Sequence, residues 1–309
     1  MLDRSVGALL GLAVGDALGA AAEGMARGSY PRMTEFRASA SHGLAPGEWT
    51  DDTAMALCLA ESLLACGELD RHDLMRRFLR WYRTGENACR GRATGIGGNT
   101  RAALETYERT GAFAEGSDRA GGVGNGCIMR LAPVAIRYRS DTGAARETAM
   151  LQARTTHCAE EAAEAAGLMA VLMTLALRRG DRNAVSDALP QARNPRILAI
   201  AAGEYRHMPR ERISSAARAA DTLEAALWCL HRAASFEEAV VEAVNLGGDT
   251  DTIGATTGQI AGAIFGASAI PARWVASLHA ADRIAALASA LHHAADAAAG
   301  STGPLVASA

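Results

Sequence analysis

Two short segments carry most of the chemistry that can be read directly from the chain. Asn245-Leu-Gly-Gly-Asp-Thr-Asp-Thr-Ile-Gly254 places Asp249, Asp251 and the Thr252 hydroxyl just after a glycine pair, and Thr50-Asp51-Asp52-Thr53 offers two more carboxylates between two hydroxyls. Each segment opens an apolar helical run. An ordinary alternative exists for both, because Thr and Asp cap helices and carboxylates in a first turn favour the helix dipole. A cap needs only one such group, however, and GGDTDT supplies four beside a flexible glycine pair. If folding brings Asp51, Asp52, Asp249 and Asp251 together, four negative charges crowd one place unless protons or cations neutralise them. Two divalent ions would do so. With no His or Cys in either segment, Mg²⁺ or Mn²⁺ suits the donors better than zinc, and Thr50 and Thr252 would add neutral oxygens.

Two glycine-rich stretches, Gly91–Thr100 and Gly121–Arg130, run into apparent helices. Neither has the dinucleotide fingerprint or a P-loop lysine. Backbone N–H groups at a helix start could meet a phosphate there, although a tight turn alone would also need the glycines. His157, in Thr155-Thr-His-Cys-Ala-Glu160, stands at a helix start where it could contact phosphate or ribose, or serve as a cap or core residue. Glu23, following Gly15-Asp-Ala-Leu-Gly19, reads by itself as a surface charge.

The elements that must position these groups are helical. Met55, Leu59 and Leu63 recur at four-residue spacing, and Ala165, Leu168, Met169, Leu172 and Leu175 at three and four. Helices are expected at 71–84, 99–109, 128–138, 143–154, 159–179, 219–233, 236–245, 252–266 and 280–298, with short turns between them. No alternating strand pattern stands out, so the fold class is all-α in a single compact domain covering 1–299. The segment from Asp181 to Ala220, with Pro190, Pro195 and Pro209, reads as the least regular, and 300–309 as a disordered tail.

Composition narrows the partners. The chain has 309 residues, 49% apolar, 5% aromatic and 21% charged, with a formal net charge of -3. That is ample material for a core and gives no broad attraction to nucleic acid or anionic membrane. All basic residues are Arg. The six cysteines are scattered without a CxxC pair, which fits reduced thiols and a cytoplasmic location. The apolar N-terminal stretch mimics a secretory leader, but Asp16 interrupts it, and no unbroken apolar run of about 18 residues suggests a membrane span.

The ordered series Gly15-Asp16-x-x-Gly19-x-x-x-Glu23, TDDT at 50–53, Gly124-Asn125-Gly126, Thr156-His157 and GGDTDTI at 247–253 resembles the ADP-ribosylglycohydrolases, which include the dinitrogenase reductase-activating glycohydrolase. The resemblance spans about residues 5 to 280. It implies an all-α fold with a dinuclear Mg²⁺ or Mn²⁺ centre at the base of an ADP-ribose cleft. By position it implies Thr50, Asp51, Asp52, Asp249, Asp251 and Thr252 as metal ligands, with Asp16 behind them and Glu23 as a mobile acidic residue near metal and substrate. It also implies that Gly122, Val123, Gly124, Asn125, Gly126 and His157 contact ADP-ribose, and that Glu23, Asp51 and Asp52 serve catalysis. The expected reaction frees ADP-ribose from a modified protein side chain, arginine first. The alternatives are a serine-linked or other O-linked bond and a non-catalytic ADP-ribose-binding module. A monomer is expected. One position departs from the family pattern: many bacterial members carry Asp-Ile-Gly where this chain reads Gly95-Ile96-Gly97.

Overall fold

Glycine recurs every fourth residue, at Gly7, Gly11, Gly15 and Gly19, along the first helix, α1 (Leu2–Gly19). A second run, Gly254, Gly258 and Gly262, lies on a late helix, Thr250–Phe265. In the computed structural model, which describes residues 1–114, 122–181 and 192–301, these two stripes face each other. A Cβ added at Gly15 would stand 2.0 Å from the Gly254 carbonyl oxygen, and one at Gly258 would stand 2.0 Å from that of Gly11. No side chain fits between the backbones. The two helices therefore meet at closer range than ridges-into-grooves packing allows, where axes lie about 8–10 Å apart. This seam joins the start of the chain to its last quarter, and it carries Asp16 and Gly19 to the N-terminal end of the late helix.

The other helices follow from apolar spacing and local caps. They are α2 (Asp51–Cys66), α3 (Arg71–Thr84), α4 (Gly98–Thr110), α5 (Ala132–Arg137), α6 (Thr142–Ala153), α7 (Glu160–Arg179), α8 (Pro195–Ala202), α9 (Ala219–Arg232), α10 (Phe236–Val244), α11 (the Thr250–Phe265 helix), α12 (Ala272–Ser277) and α13 (Ala281–Ser301). Asp70 caps α3 by accepting from the His72 and Asp73 amides, and Ser235 caps α10 by accepting from that of Glu238. Glycines at positive φ end α2, α3, α4 and α7, as left-handed C′ residues commonly do. One apolar cluster runs through α1, α2, α5, α7, α9, α10 and α11, with Trp81, Trp228 and Trp274 fully buried.

The all-α, single-domain expectation holds among the described residues. Among the described residues the β pairings are two isolated bridges, Ser39 with Leu44 and Gly124 with Arg218. Two details differ from the sequence reading. The helix expected at 128–138 begins only at Ala132, because the Ile128 amide is held in a turn by the Asn125 carbonyl. Within the stretch read as irregular, Asn194 caps α8 and two 3₁₀ turns follow, Glu204–His207 and Arg210–Arg212. Part of that stretch, 182–191, lies outside the described residues, as do 302–309 of the expected tail. No described helix is long and apolar enough to cross a membrane.

Candidate metal centre and cleft

Asp16 lies on α1 with no exposed surface. Its two oxygens accept four hydrogen bonds from the start of α2: the Thr50 amide (2.9 Å) and hydroxyl (2.8 Å) reach Oδ1, and the Thr53 amide (3.0 Å) and hydroxyl (2.6 Å) reach Oδ2. A carboxylate from another helix thus satisfies amides that α2 leaves unpaired at its N-terminus. Thr50 and Asp249 occupy the N-cap positions of α2 and α11, yet neither side chain bonds to the backbone of its own helix. The capping explanation for these residues is therefore displaced, and their oxygens are left for something else.

The Thr50 hydroxyl shows what that is. It has one hydrogen, and Asp16 Oδ1 is its nearest acceptor. Asp52 Oδ2 at 3.1 Å and Asp251 Oδ2 at 3.5 Å then face its lone pairs. Oxygens turned toward one another repel unless a cation or a shared proton lies between them. Single oxygens of Asp16, Asp52 and Asp251 come within 4.8 Å of one another, and so do ligand atoms of Glu23, His42 and Asp251. Asp52 Oδ1 is buried with no hydrogen-bond partner. Burial, and then the charges of Asp16 and Glu23, pushes Asp51 up to about 8. Asp52 and Asp251 are raised well above the ordinary carboxylate range, by burial first and then by neighbouring aspartates. Burial also raises Asp249 and Asp16. All-oxygen donors, an orphaned buried carboxylate oxygen and acids short of counter-charge together fit hard divalent cations.

The glycine pair explains how Glu23 arrives. Gly248 accepts from the Gly24 amide and donates to the Met25 carbonyl, both at 2.8 Å. A Cβ at Gly247 would lie 2.4 Å from the Arg27 amide nitrogen, and both glycines have positive φ. The close approach holds the chain beyond α1 against the entry to α11, with Glu23 beside Asp251. The two hydroxyls of GGDTDT part company here. Thr250 donates to the Gly19 carbonyl at 2.8 Å, and Thr252 lines the cleft.

Among the residues singled out from sequence, Glu23, Asp51, Gly124, Asn125, Gly126, His157, Asp249, Asp251 and Thr252 line one open cleft with a cavity volume of about 250 Å³. Thr50 and Asp52 sit buried beneath it. Asn125 Nδ2 donates to Asp249 Oδ2 (2.6 Å) and Thr222 Oγ1 (2.9 Å), so its amide ties the glycine loop to the acidic cluster. Gly122 lines an adjoining cavity with Phe113, Ala102 and Ala103. The Val123 carbonyl accepts from the Ala219 amide, which anchors the loop to α9. Gly95 lies directly against Asp51: a Cβ there would stand 2.3 Å from Asp51 Oδ1, at a φ of +87°. In this loop conformation no side chain fits at position 95.

One neighbour went unrecognised in the sequence. The His42 ring contacts the Glu23 carboxylate and is held above its ordinary basicity by it. His42 lies in an irregular segment with no ligand-like spacing to any other residue, so only the folded chain shows the pairing. Cleft geometry and acidic cluster together agree with what the chain is similar to. A family model described as ADP-ribosylglycohydrolase matches residues 1–300. The ADP-ribosylarginine hydrolase Tri1 of Pseudomonas putida (strain GB-1) is 41% identical over 274 residues, covering 89% of this chain and 74% of the relative. The ADP-ribosyl-[dinitrogen reductase] glycohydrolase of Rhodospirillum rubrum is 32% identical, covering 89% and 90%. A solved structure titled ADP-ribosylglycohydrolase-related protein complex superposes with a TM-score of 0.84 at 44% identity, covering 95% of this chain and 98% of its own. The chain belongs to the ADP-ribosylglycohydrolase family.

Proposed function

We propose that this protein is a metal-dependent hydrolase that releases ADP-ribose from ADP-ribosylated protein side chains, with arginine as the modified residue. The observation that carries this reading is the set of Thr50, Asp52 and Asp251 oxygens turned toward one another beneath a cleft lined by the Gly124–Gly126 loop and His157. Choice of arginine rests on the substrate in the name of the ADP-ribosylarginine hydrolases to which the chain is 39% and 41% identical.

Thr50, Asp51, Asp52, Asp249, Asp251 and Thr252 would hold two divalent cations, Mg²⁺ or Mn²⁺, whose chemistry when bound is to neutralise the aspartates and polarise sugar and water oxygens. The chain's own residues do the rest. Water adds to the anomeric carbon as the bond to the guanidine nitrogen breaks. The bonding pair leaves with that nitrogen, and positive charge builds on the sugar ring. The surrounding carboxylates stabilise that charge. Glu23, half-buried at the cleft and adjustable through its contact with His42, accepts the proton that the attacking water loses. The guanidine is itself basic and takes up a proton on leaving. The products are ADP-ribose and an unmodified arginine. Phe113, Ala102 and Ala103 in the adjoining cavity offer an apolar wall for the adenine.

The six cysteines, free thiols spread through the fold, support a cytoplasmic location, and we take the protein to act as a monomer. The proposal is tested by incubating it with peptides carrying ADP-ribosyl-arginine or ADP-ribosyl-serine in Mn²⁺ and weighing the products. Return of the arginine peptide to its unmodified mass supports the reading. Turnover of the serine peptide alone would reassign the linkage. Tight calorimetric binding of ADP-ribose with neither peptide turned over would make the protein a binding module.

A further inference from the structure

Arg130 is fully buried in the turn before α5, and among the described residues its guanidinium donates to neutral acceptors. Its Nε donates to Gln152 Oε1 (3.0 Å), its Nη2 donates to Thr156 Oγ1 (2.8 Å), and its guanidinium lies 4.6 Å over the Phe78 ring. Gln152 is held in one orientation because its Nε2 donates to the Cys127 carbonyl at 2.7 Å. Burying a guanidinium among neutral partners is costly, and burial lowers its basicity to about 10. Apolar packing at this position would avoid that cost, so its donors are the feature to explain.

An arginine side chain donates and never accepts. Every hydroxyl it meets must therefore turn a lone pair toward it. Thr156 Oγ1 receives Arg130 Nη2 in this way and has a single hydrogen left, with His157 Nδ1 at 2.9 Å. If Nδ1 carried a hydrogen, Thr156 would accept twice and its own hydrogen would be left without an acceptor among the described residues. With Nδ1 bare, every group is satisfied. The ring hydrogen then sits on Nε2, which faces the glycine turn: Cβ atoms added at Gly124 and Gly126 would lie 3.2 and 3.4 Å from it. Burial and the Arg130 charge push the ring down to about 3, so it stays neutral.

We infer that Arg130 is a positioning residue: through the Thr156 hydroxyl it fixes His157 as the Nε2–H tautomer, so that the ring presents a permanent donor to a ligand oxygen beside Gly124–Gly126. The ligand itself comes from the ADP-ribose reading above, on which this inference rests. A phosphate oxygen or a ribose hydroxyl lone pair satisfies such a donor, and a group that only donates does not.

The test is nitrogen-15 NMR of the histidine rings in the full-length protein, with His157 assigned by loss of its signals in His157→Gln. The expected wild-type ring has Nδ1 bare and Nε2 protonated from about pH 5 to about pH 9, where an ordinary histidine would titrate. Thr156→Val keeps the shape and removes the relay. It is expected to let the ring exchange between tautomers and to weaken ADP-ribose binding and raise KM about tenfold, the scale of one hydrogen bond, with a smaller fall in kcat. Thr156→Ser should restore the wild-type ring, and Arg130→Met should reproduce Thr156→Val where it folds. A wild-type ring with Nδ1–H, a charged ring, or a tautomer unchanged in Thr156→Val would overturn the inference. If the ring behaves as expected but the wild-type protein binds no ADP-ribose, the functional reading falls and the role of Arg130 stands.

Discussion

Asp16 Oδ1 accepts the Thr50 hydroxyl hydrogen at 2.8 Å, and this one contact decides what Thr50 can do for the rest of the site. Its remaining lone pairs face Asp52 and Asp251, so a residue on α1 sets the donor character of the cluster without itself lining the cleft. Asp16→Asn replaces one accepting oxygen with an N–H₂ group that clashes with hydrogens from Thr50 or Thr53. Calorimetry with Mn²⁺ should show affinity falling about 10- to 100-fold, the range for loss of a group that orients a ligand. Unchanged affinity would show that the Thr50 orientation is immaterial.

The glycine seam makes a prediction about stability. Gly15→Ala or Gly258→Ala would put a methyl 2.0 Å from a carbonyl oxygen of the facing helix. Overpacking of this kind costs about 1–3 kcal/mol and sometimes more. Since the seam also sets Asp16 against α11, urea unfolding of either variant should show lower stability together with weaker Mn²⁺ binding. Lost stability with intact metal binding would separate the seam from the site.

Gly95→Ala and Gly95→Asp are expected to behave alike. Both force a Cβ into Asp51 at a positive φ, a conformation costing about 1–3 kcal/mol for a non-glycine residue. Both should lower the melting temperature and turnover, whether or not a charge is added. An Asp variant more active than the Ala variant would mean that the loop yields and the side chain finds a use in the cleft.

The legibility of the sequence divided along the same lines. TDDT and GGDTDT were readable because each is a compact run at a helix start, and the helices around them because apolar spacing is local. Asp16 was placed behind the ligands only through the family resemblance, and His42 was not singled out at all, since each acts through a residue distant in the chain. The four-residue glycine repeats on α1 and α11 were not singled out from the sequence, because only folding shows that one stripe needs the other. Asn125, expected among the ligand contacts, has its amide committed to Asp249 and Thr222. An amide's choice between ligand and neighbouring carboxylate leaves no mark on spacing.

The raised acids give a pH signature for the metal-free protein. Asp51, ordinarily near 3.8, titrates at about 8 in the fold, so between those values the native state holds a proton that the unfolded chain has released. By linkage, stability falls as pH rises through this window. A single unit of such a shift is worth about 1.4 kcal/mol and moves the melting temperature by roughly 2–4 °C in a chain of this size. Melting curves in chelator should drop from pH 5 to pH 8, and added Mg²⁺ or Mn²⁺ should recover most of the loss at the upper end. A flat profile in chelator would mean that the carboxylates find other neutralisation.

The most direct measurement is mass spectrometry of an ADP-ribosyl-arginine peptide treated with the wild-type protein and with Asp251→Ala, each in Mn²⁺ and in chelator. The account predicts intact ADP-ribose and unmodified arginine from the wild type in Mn²⁺, and a loss of at least about a hundredfold in chelator or in the variant, as expected when a group acting on the developing charge is removed. Release that survives both chelator and Asp251→Ala would contradict it.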